Sequence, residues 1–317
     1  QSWYNLYQLG IMTIVLLILW WPHRANSPFH WHWSIPLISI FLSAADFVYF
    51  YALSLDGSMI SVVSMIRRGS VIVSFLFGAL LFGGVGLADD LARIRRRAPL
   101  GLRRGTRLLL EAGAGAVVLL LLGASRCLAT GLALPGLGYV ELGVLAPLVW
   151  EAGLVALAES VRIADGIDGL CCGTAFAAQL GLMLCMTILG WFPLAVFPAA
   201  LAGALMAFLL WNFPPAKLRL GSVGSLFLAG MLGCVPLCIG WPDLTLPLAL
   251  PFWLEGGMVA LQILVCKASR GRRQLFRSAP LHRWLELRGQ SAEQIFYTFC
   301  VIAMLGVALT VQLAKIS

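Results

Sequence analysis

The sequence predicts an all-α fold, a polytopic transmembrane helical bundle of about ten spans with both termini extracytoplasmic. Of its 317 residues, 60% are hydrophobic and only 11% are charged, whereas a soluble domain carries about a quarter charged residues. Mean hydropathy is +0.91, and the apolar runs reach the roughly 20 residues that a helix needs to cross a bilayer. Arg and Lys are also distributed very unevenly between the loops.

Apolar segments long enough to form membrane-spanning helices run along the whole chain. They cover residues 5–22, 35–53, 62–85, 107–124, 142–159, 171–189, 194–212, 223–240, 247–266 and 294–313. The first of them has neither a basic region before it nor a small-residue cleavage site after it. We therefore interpret it as a true span and not as a signal peptide.

The basic residues assign the loops to two sides of the membrane. Eighteen of the 22 Lys and Arg residues, counting Arg107 at a border, lie in one alternating set of connections: 23–34, 86–106, 160–170, 213–222 and 267–293. By the positive-inside rule this set is cytoplasmic. The net charge of +8 is then explained by membrane topology, so nucleic acid is not predicted as a partner.

Two acidic pairs lie on this predicted cytoplasmic side. Asp89 and Asp90 occur in GGVGLADDLARIRRR, and Asp165 and Asp168 occur in AESVRIADGIDGL. Adjacent carboxylates at a membrane surface can hold Mg²⁺ together with a substrate phosphate. The alternatives are that the first pair only solvates a helix end and that DGIDG is an ordinary turn.

Two further cytoplasmic segments carry possible phosphate-binding chemistry. A Gly/Ser loop within 212–230 leads into a helix whose backbone N–H groups could bind an anion, or it is a plain turn. The segment 267–290 is basic, contains His282 and has interleaved leucine and aromatic residues. It could bind a diphosphate or lie on the anionic inner leaflet as an anchor.

These four cytoplasmic segments, in the order in which they occur along the chain, resemble the polyprenyl-phosphate N-acetylhexosamine-1-phosphate transferase superfamily. The resemblance covers about residues 83–314. The resemblance rests on GLADDLARIRRR, ADGIDGL, WNFPPAKLRLGSVGSLFLAG and FRSAPLHRWLELRG with SAEQIFYTF. The segment FWLEGGMVALQ places Glu255 and Gln262 on one helical face. That pair resembles the branch of phospho-N-acetylmuramoyl-pentapeptide transferases in particular.

The resemblance implies a reaction and a site. A phospho-amino-sugar would pass from a UDP-sugar to undecaprenyl phosphate with Mg²⁺ and release of UMP, in cell-wall synthesis at the bacterial cytoplasmic membrane, with membrane lipids around the chain and a homodimer possible. Asp89, Asp90 and His282 would be catalytic, and Asp89 and Asp90 would hold the metal. The implied substrate-binding residues are Asp165, Asp168, Arg162, Asn212, Lys217, Glu255 and Gln262.

The chain also departs from the pattern of that superfamily. Ser222 stands where the family has a metal-ligand Asp, and Glu159 and Arg162 replace two Asn residues. Only His282 remains of consecutive histidines. A neutral hydroxyl is a poorer Mg²⁺ ligand than a carboxylate, so we expect impaired activity. The alternative is a catalytically inactive homologue or chimera that retains the fold and ligand binding.

The beginning of the chain differs from the rest. Residues 39–82 resemble a segment of drug/metabolite (EamA-type) transporters, which predicts a fusion of transporter-like helices in 1–83 with a transferase-like domain in 84–317. A third hypothesis is therefore a small-molecule transporter. Transporter folds usually contain paired repeats, and the sequence contains no second copy of this segment.

Overall fold

A computed structural model describes residues 58–96, 101–124, 128–134, 138–270 and 274–316. Nearly all of them belong to one compact unit, Val62–Ser317. The predicted spans 5–22 and 35–53, and residues 39–57 of the transporter-like segment, lie outside the described residues.

Helices dominate the described part of the chain. They are α1 (Ser58–Arg96), α2 (Arg104–Ala124), α3 (Ala146–Ala164), α4 (Leu170–Ile188), α5 (Val196–Asn212), α6 (Gly221–Cys238), α7 (Thr245–Leu248), α8 (Leu250–Ala268), α9 (Leu281–Leu287) and α10 (Ala292–Ile316). A small hairpin joins α2 to α3. Its strands β1 (Gly131–Leu134) and β2 (Gly138–Glu141) are antiparallel, with Gly131 opposite Glu141.

The predicted all-α bundle with membrane-spanning helices is confirmed in the part of the chain that the structure describes, whereas the count of ten spans and the extracytoplasmic termini stay predictions. Among the described residues, α2, α3 with its preceding turn, α4, α6, α8 and α10 are long and apolar enough to cross a membrane, and α5 is a shorter apolar helix. Each predicted span from 107–124 onward falls on one of these helices. The hydropathy pattern alone therefore located them correctly.

Helix α1 is longer than the third predicted span. It continues beyond residue 85 to Arg96, so Asp89 and Asp90 lie on a helix rather than in a loop. The sequence LADDLARIRR explains the extension, because Leu, Ala and Arg favour helix and the acids precede Arg93 by three and four positions. The helix also passes without interruption through the predicted domain boundary near residue 83.

Helices α4 and α6 form the centre of the bundle and are the most buried of the spans. Small residues let neighbouring helices approach α6 closely, as is common in membranes. A Cβ on Gly230 would lie 2.9 Å from the Ala79 backbone, and one on Gly86 would overlap the Ser222 carbonyl oxygen. This last contact brings the end of α1 against the start of α6.

Candidate functional site

Asp89 is held at the point where α1 meets the first turn of α6. Its side chain is 1% exposed. Oδ1 accepts a hydrogen bond from the Leu102 N–H at 2.7 Å, and Oδ2 accepts one from the Ser222 hydroxyl at 2.8 Å. Arg93 adds a third donor to Oδ2 at 3.3 Å. The carboxylate is therefore fixed in position, with donors on both of its oxygens.

Asp90 is more accessible than its neighbour. Its side chain is 23% exposed and lies 3.5 Å from the Arg93 guanidinium. Oδ2 accepts a hydrogen bond from the Val223 N–H at 3.1 Å, in the first turn of α6, where free backbone N–H groups favour negative charge. Gly221 has a φ of +70° and leaves room for this carboxylate. Asp90 is thus the carboxylate of the pair that a ligand could reach.

The α3–α4 turn carries the second acidic pair to the same place. Burial raises the pKa of Asp165 to about 7, against the opposing effects of the Gly221 backbone and Arg219; Asp90 contributes to the increase. Asp168 accepts a hydrogen bond from the Ala216 N–H at 3.0 Å and lies 3.6 Å from Arg219. Both acidic motifs therefore meet at the start of α6.

Asn212 connects this turn to the α5–α6 loop. Its side-chain oxygen accepts a hydrogen bond from the Gly169 N–H at 3.1 Å, and its amide donates to the Leu218 carbonyl at 2.8 Å. The residue is buried. Lys217, in the same loop, is exposed and lies 5.6 Å from the centre of the Trp211 ring. Asn212 therefore orients the loop, and Lys217 is free to meet solvent or a ligand.

The last loop, which is the connection between α8 and α10 and includes α9, is anchored by α8. Glu255 is fully buried and accepts a hydrogen bond from the His282 backbone N–H at 3.0 Å; its other oxygen lies 3.0 Å from Nδ1 of the His282 ring. A Cβ on Gly166 would lie 2.7 Å from Nε2 of that ring. His282 thus sits between Glu255 and the DGIDG turn.

Gln262, which follows Glu255 by seven positions on α8, holds the same loop at Phe276. Its side chain accepts a hydrogen bond from the Phe276 N–H at 2.9 Å and donates one to the Phe276 carbonyl at 3.2 Å. Glu255 and Gln262, which were predicted to bind substrate, are therefore engaged by the protein's own backbone in this structure.

Arg162 belongs to a separate ionic network between α2 and α3. It pairs with Glu159 at 3.0 Å, and Glu159 also pairs with the buried Arg107 at 3.0 Å. Arg107 lies 3.5 Å from the fully buried Glu111. Glu159 and Arg162, which the resemblance sets at two Asn positions of the superfamily, thus form an ion pair with each other.

A half-open cavity of about 240 Å³ lies between α3 and α8, next to this network. Arg104 and Glu159 border it, and most of its lining is apolar. A second apolar cavity of about 170 Å³ shares Trp253 with the first. Together they form an apolar surface along α3 that meets α8 at Trp253, here called the α3–α8 face, and the second cavity also reaches Gly233 and Leu237 of α6.

The residues predicted to hold Mg²⁺ do not fit that ion in this arrangement. Mg²⁺ needs oxygen ligands at about 2.0–2.1 Å in octahedral geometry. Each oxygen of Asp89 and Asp90 already lies within 3.5 Å of a donor, and Ser222 uses its hydroxyl to donate to Asp89. Within the described ranges, no group of three His, Cys, Asp or Glu residues could hold a metal.

Sequence reasoning missed Arg93, Glu111 and the pairing of Glu255 with His282. The first two had a local signal, because Asp89–Arg93 and Arg107–Glu111 are both separated by four positions, the spacing of helical ion pairs. The third pair had none, since it joins residues 27 positions apart.

Comparison with known proteins adds to this geometry. Residues 72–240 match the family model described as glycosyl transferase family 4. The match begins before the predicted domain boundary near residue 83, and the boundary itself stays a prediction.

Curated relatives cover a longer part of the chain. The chain is 36% identical to the phospho-N-acetylmuramoyl-pentapeptide-transferase of Synechococcus sp. (strain RCC307) over 73% of its own length and 66% of the relative's. It is 37% identical to the protein of that name from Nostoc punctiforme, over 72% of this chain and 64% of the relative. It is 31% identical to the protein of that name from Clostridium kluyveri, over 73% of this chain and 72% of the relative. The chain thus spans slightly less than two thirds of the two cyanobacterial relatives.

Proposed function

This chain belongs to glycosyl transferase family 4, and we propose that it transfers a phospho-amino-sugar from a UDP-linked amino sugar to a polyprenyl phosphate. The transferred group would be phospho-N-acetylmuramoyl-pentapeptide or a phospho-N-acetylhexosamine. Its curated relatives carry the name phospho-N-acetylmuramoyl-pentapeptide transferase. The site would face the cytoplasm at a bacterial inner membrane. The proposal includes the formation of a homodimer by two copies of the chain.

One observation carries this proposal: three chain segments far apart in sequence converge at the start of α6. Asp89 contacts Ser222, Asp90 contacts Val223, and Asp165 interacts with the Gly221 backbone. A helix N-terminus can bind phosphate through those backbone N–H groups that the carboxylates do not already use. Carboxylates next to such an anion site are the groups that could activate and orient a phosphoryl-transfer reaction.

In the proposed reaction, one bond forms and one bond breaks at the β-phosphate of the nucleotide. An oxygen of the lipid phosphate forms a new P–O bond there, and the bond to the α-phosphate breaks, so that UMP leaves. Any proton on the attacking phosphate would pass to Asp90, because it is the more accessible carboxylate of its pair. Asp89 would orient Ser222 and the Leu102 backbone, and His282 would complete the site next to Gly166. The remaining residues proposed to bind the substrate are Asp168, Arg162, Asn212, Lys217, Glu255 and Gln262.

The α3–α8 face supports a lipid substrate. Its two cavities are largely apolar and share Trp253, and the larger one ends at Arg104 and Glu159. We propose that the polyprenyl tail lies along this face, because its apolar lining matches a hydrocarbon chain.

The test is release of UMP by the purified chain in detergent from a UDP-N-acetylhexosamine or UDP-N-acetylmuramoyl-pentapeptide, with a polyprenyl phosphate as acceptor. We expect release that depends on both substrates and falls by about 10²- to 10⁴-fold in Asp90→Asn, the range typical of a lost acid–base group. Arg95→Ala is a matched control on the same helix. Absence of UMP release with every sugar and acceptor, together with absence of nucleotide binding, would reject the proposal.

A second candidate is a homologue that binds nucleotide without turnover. A specific observation favours it: Ser222 and Arg93 occupy Asp89, and the described residues do not fit Mg²⁺, although family membership implies a divalent-metal-dependent type of transferase. Calorimetry would separate the two candidates, since binding of a UDP-sugar without any UMP release selects this one. The predicted transporter activity and fusion at 1–83 stay predictions.

A further inference from the structure

The guanidinium of Arg93 lies between the two carboxylates at the end of α1. Nη2 is 3.3 Å from Oδ2 of Asp89, and Nη1 is 3.5 Å from Oδ1 of Asp90. Arg93 follows these residues by four and three positions, so a single helical turn sets the geometry. The acidic pair therefore already has a cation of its own, and an incoming metal ion would meet a fixed positive charge.

Ser222 is suited to this cation and poorly suited to a metal. Its hydroxyl donates to Asp89 at 2.8 Å, and Arg93 Nη2 lies 3.5 Å from the same hydroxyl oxygen. A hydroxyl that accepts from a guanidinium and donates to a carboxylate satisfies both partners. Ser222 and Arg93 thus form one hydrogen-bonded set with Asp89.

Arg93 keeps part of its surface for a ligand. Its side chain is 43% exposed, against 1% for Asp89. A guanidinium has five N–H donors in a planar fork that matches phosphate oxygens, and the contacts to Asp89, Asp90 and Ser222 involve only its two terminal nitrogens. The N-terminal turn of α6 lies beside it and favours negative charge, and its Val223 N–H already donates to Asp90.

We propose that Arg93 is a tethered cation that takes the place of a divalent metal and binds the diphosphate of the nucleotide directly. This inference rests on the proposed function, because it assumes a nucleoside diphosphate ligand. It makes nucleotide binding independent of metal, in contrast to what the resemblance implied for Asp89 and Asp90.

The test uses the full chain purified in detergent, with uridine diphosphate as the probe. Calorimetry is run once with EDTA and once with Mg²⁺, and binding of Mn²⁺ alone is followed by electron paramagnetic resonance. We expect the same affinity for uridine diphosphate within about twofold under both conditions and no saturable Mn²⁺ binding. Arg93→Ala should weaken binding in EDTA by about 10- to 100-fold, the loss expected for charge-assisted hydrogen bonds.

Arg95→Ala is the matched control. Arg95 has the same charge and lies on the same helix, about 200° around its axis from Arg93, so its loss should leave binding unchanged. If Arg93→Ala fails to fold, Arg93→Lys gives the answer, because it keeps the charge and loses the fork. A fall in affinity in that variant supports the inference, and unchanged affinity overturns it.

Two results separate this inference from the proposed function. Saturable Mn²⁺ binding that Asp90→Asn abolishes, or nucleotide binding only in the presence of Mg²⁺, overturns the role of Arg93 and leaves the transferase proposal standing. A chain that binds no uridine diphosphate under either condition and releases no UMP overturns both.

Discussion

Part of the pH dependence of the protein's stability should come from Asp165, and Asp165→Asn should remove that part. Burial raises the pKa of this carboxyl from its ordinary 3.8 to about 7, in spite of Arg219 and the Gly221 backbone. The unfolded chain loses the proton near the lower value and the folded chain near the higher one. Between them the folded state binds more protons, so its stability falls as pH rises.

The size of the effect follows from the two pKa values. A difference of about 3 units corresponds to about 4 kcal/mol at 1.36 kcal/mol per unit. Asp165 is partly exposed, so solvent screening reduces this to roughly 2 kcal/mol. The stabilisation is fully present below pH 3.8 and is lost as the pH passes about 7. Above that point the curve should level off.

Thermal unfolding of the wild type and Asp165→Asn in detergent and EDTA checks this expectation. Between about pH 5 and pH 8 the wild type should lose about 1 kcal/mol more stability than the variant, which corresponds to roughly 2–4 °C in Tm for a unit of this size. The amide resembles the neutral acid in shape, so the two proteins should behave most alike at low pH. Parallel pH curves for both proteins would refute the reasoning.

Three further predictions follow from contacts at the same end of the bundle. Gly86→Ala should destabilise the protein by about 1–3 kcal/mol in chemical denaturation, because the new Cβ would overlap the Ser222 carbonyl. Gly84→Ala is the control and should leave the free energy of unfolding unchanged, because no atom lies within 4 Å of the added Cβ. Equal losses of stability in the two variants would contradict this packing. Glu255→Gln should lose about 1.5–3 kcal/mol through weaker charge-assisted bonds and make the last loop more sensitive to limited proteolysis; unchanged cleavage would argue against its anchoring role. Ser222→Asp combined with Arg93→Ala should create saturable Mn²⁺ binding, since a third carboxylate would then replace the cation; no resonance change with Mn²⁺ would contradict this.

Much of the fold could be predicted from the sequence because membrane helices obey local rules. Apolar length located the spans from 107–124 onward, and the basic residues grouped the loops that carry the acidic motifs. Helix α1 was underestimated, since its last turns are polar and hydropathy alone ends a helix where the apolar run ends. Propensity and the spacing of Asp89 and Arg93 contained the missing information.

The sequence by itself determined which residues could take part in the site: Asp89, Asp90, Asp165, Asp168 and His282 have the chemistry, and hydropathy placed them at one side of the bundle. Only the tertiary structure decided how they are used. Asp89 and Ser222 are 133 positions apart, and they meet because α1 and α6 pack without a side chain between Gly86 and the Ser222 backbone. Such contacts depend on helix packing over long distances along the chain, which no local pattern encodes. For that reason the charge of Arg93 and the hydroxyl of Ser222 acquire their roles only in the folded protein.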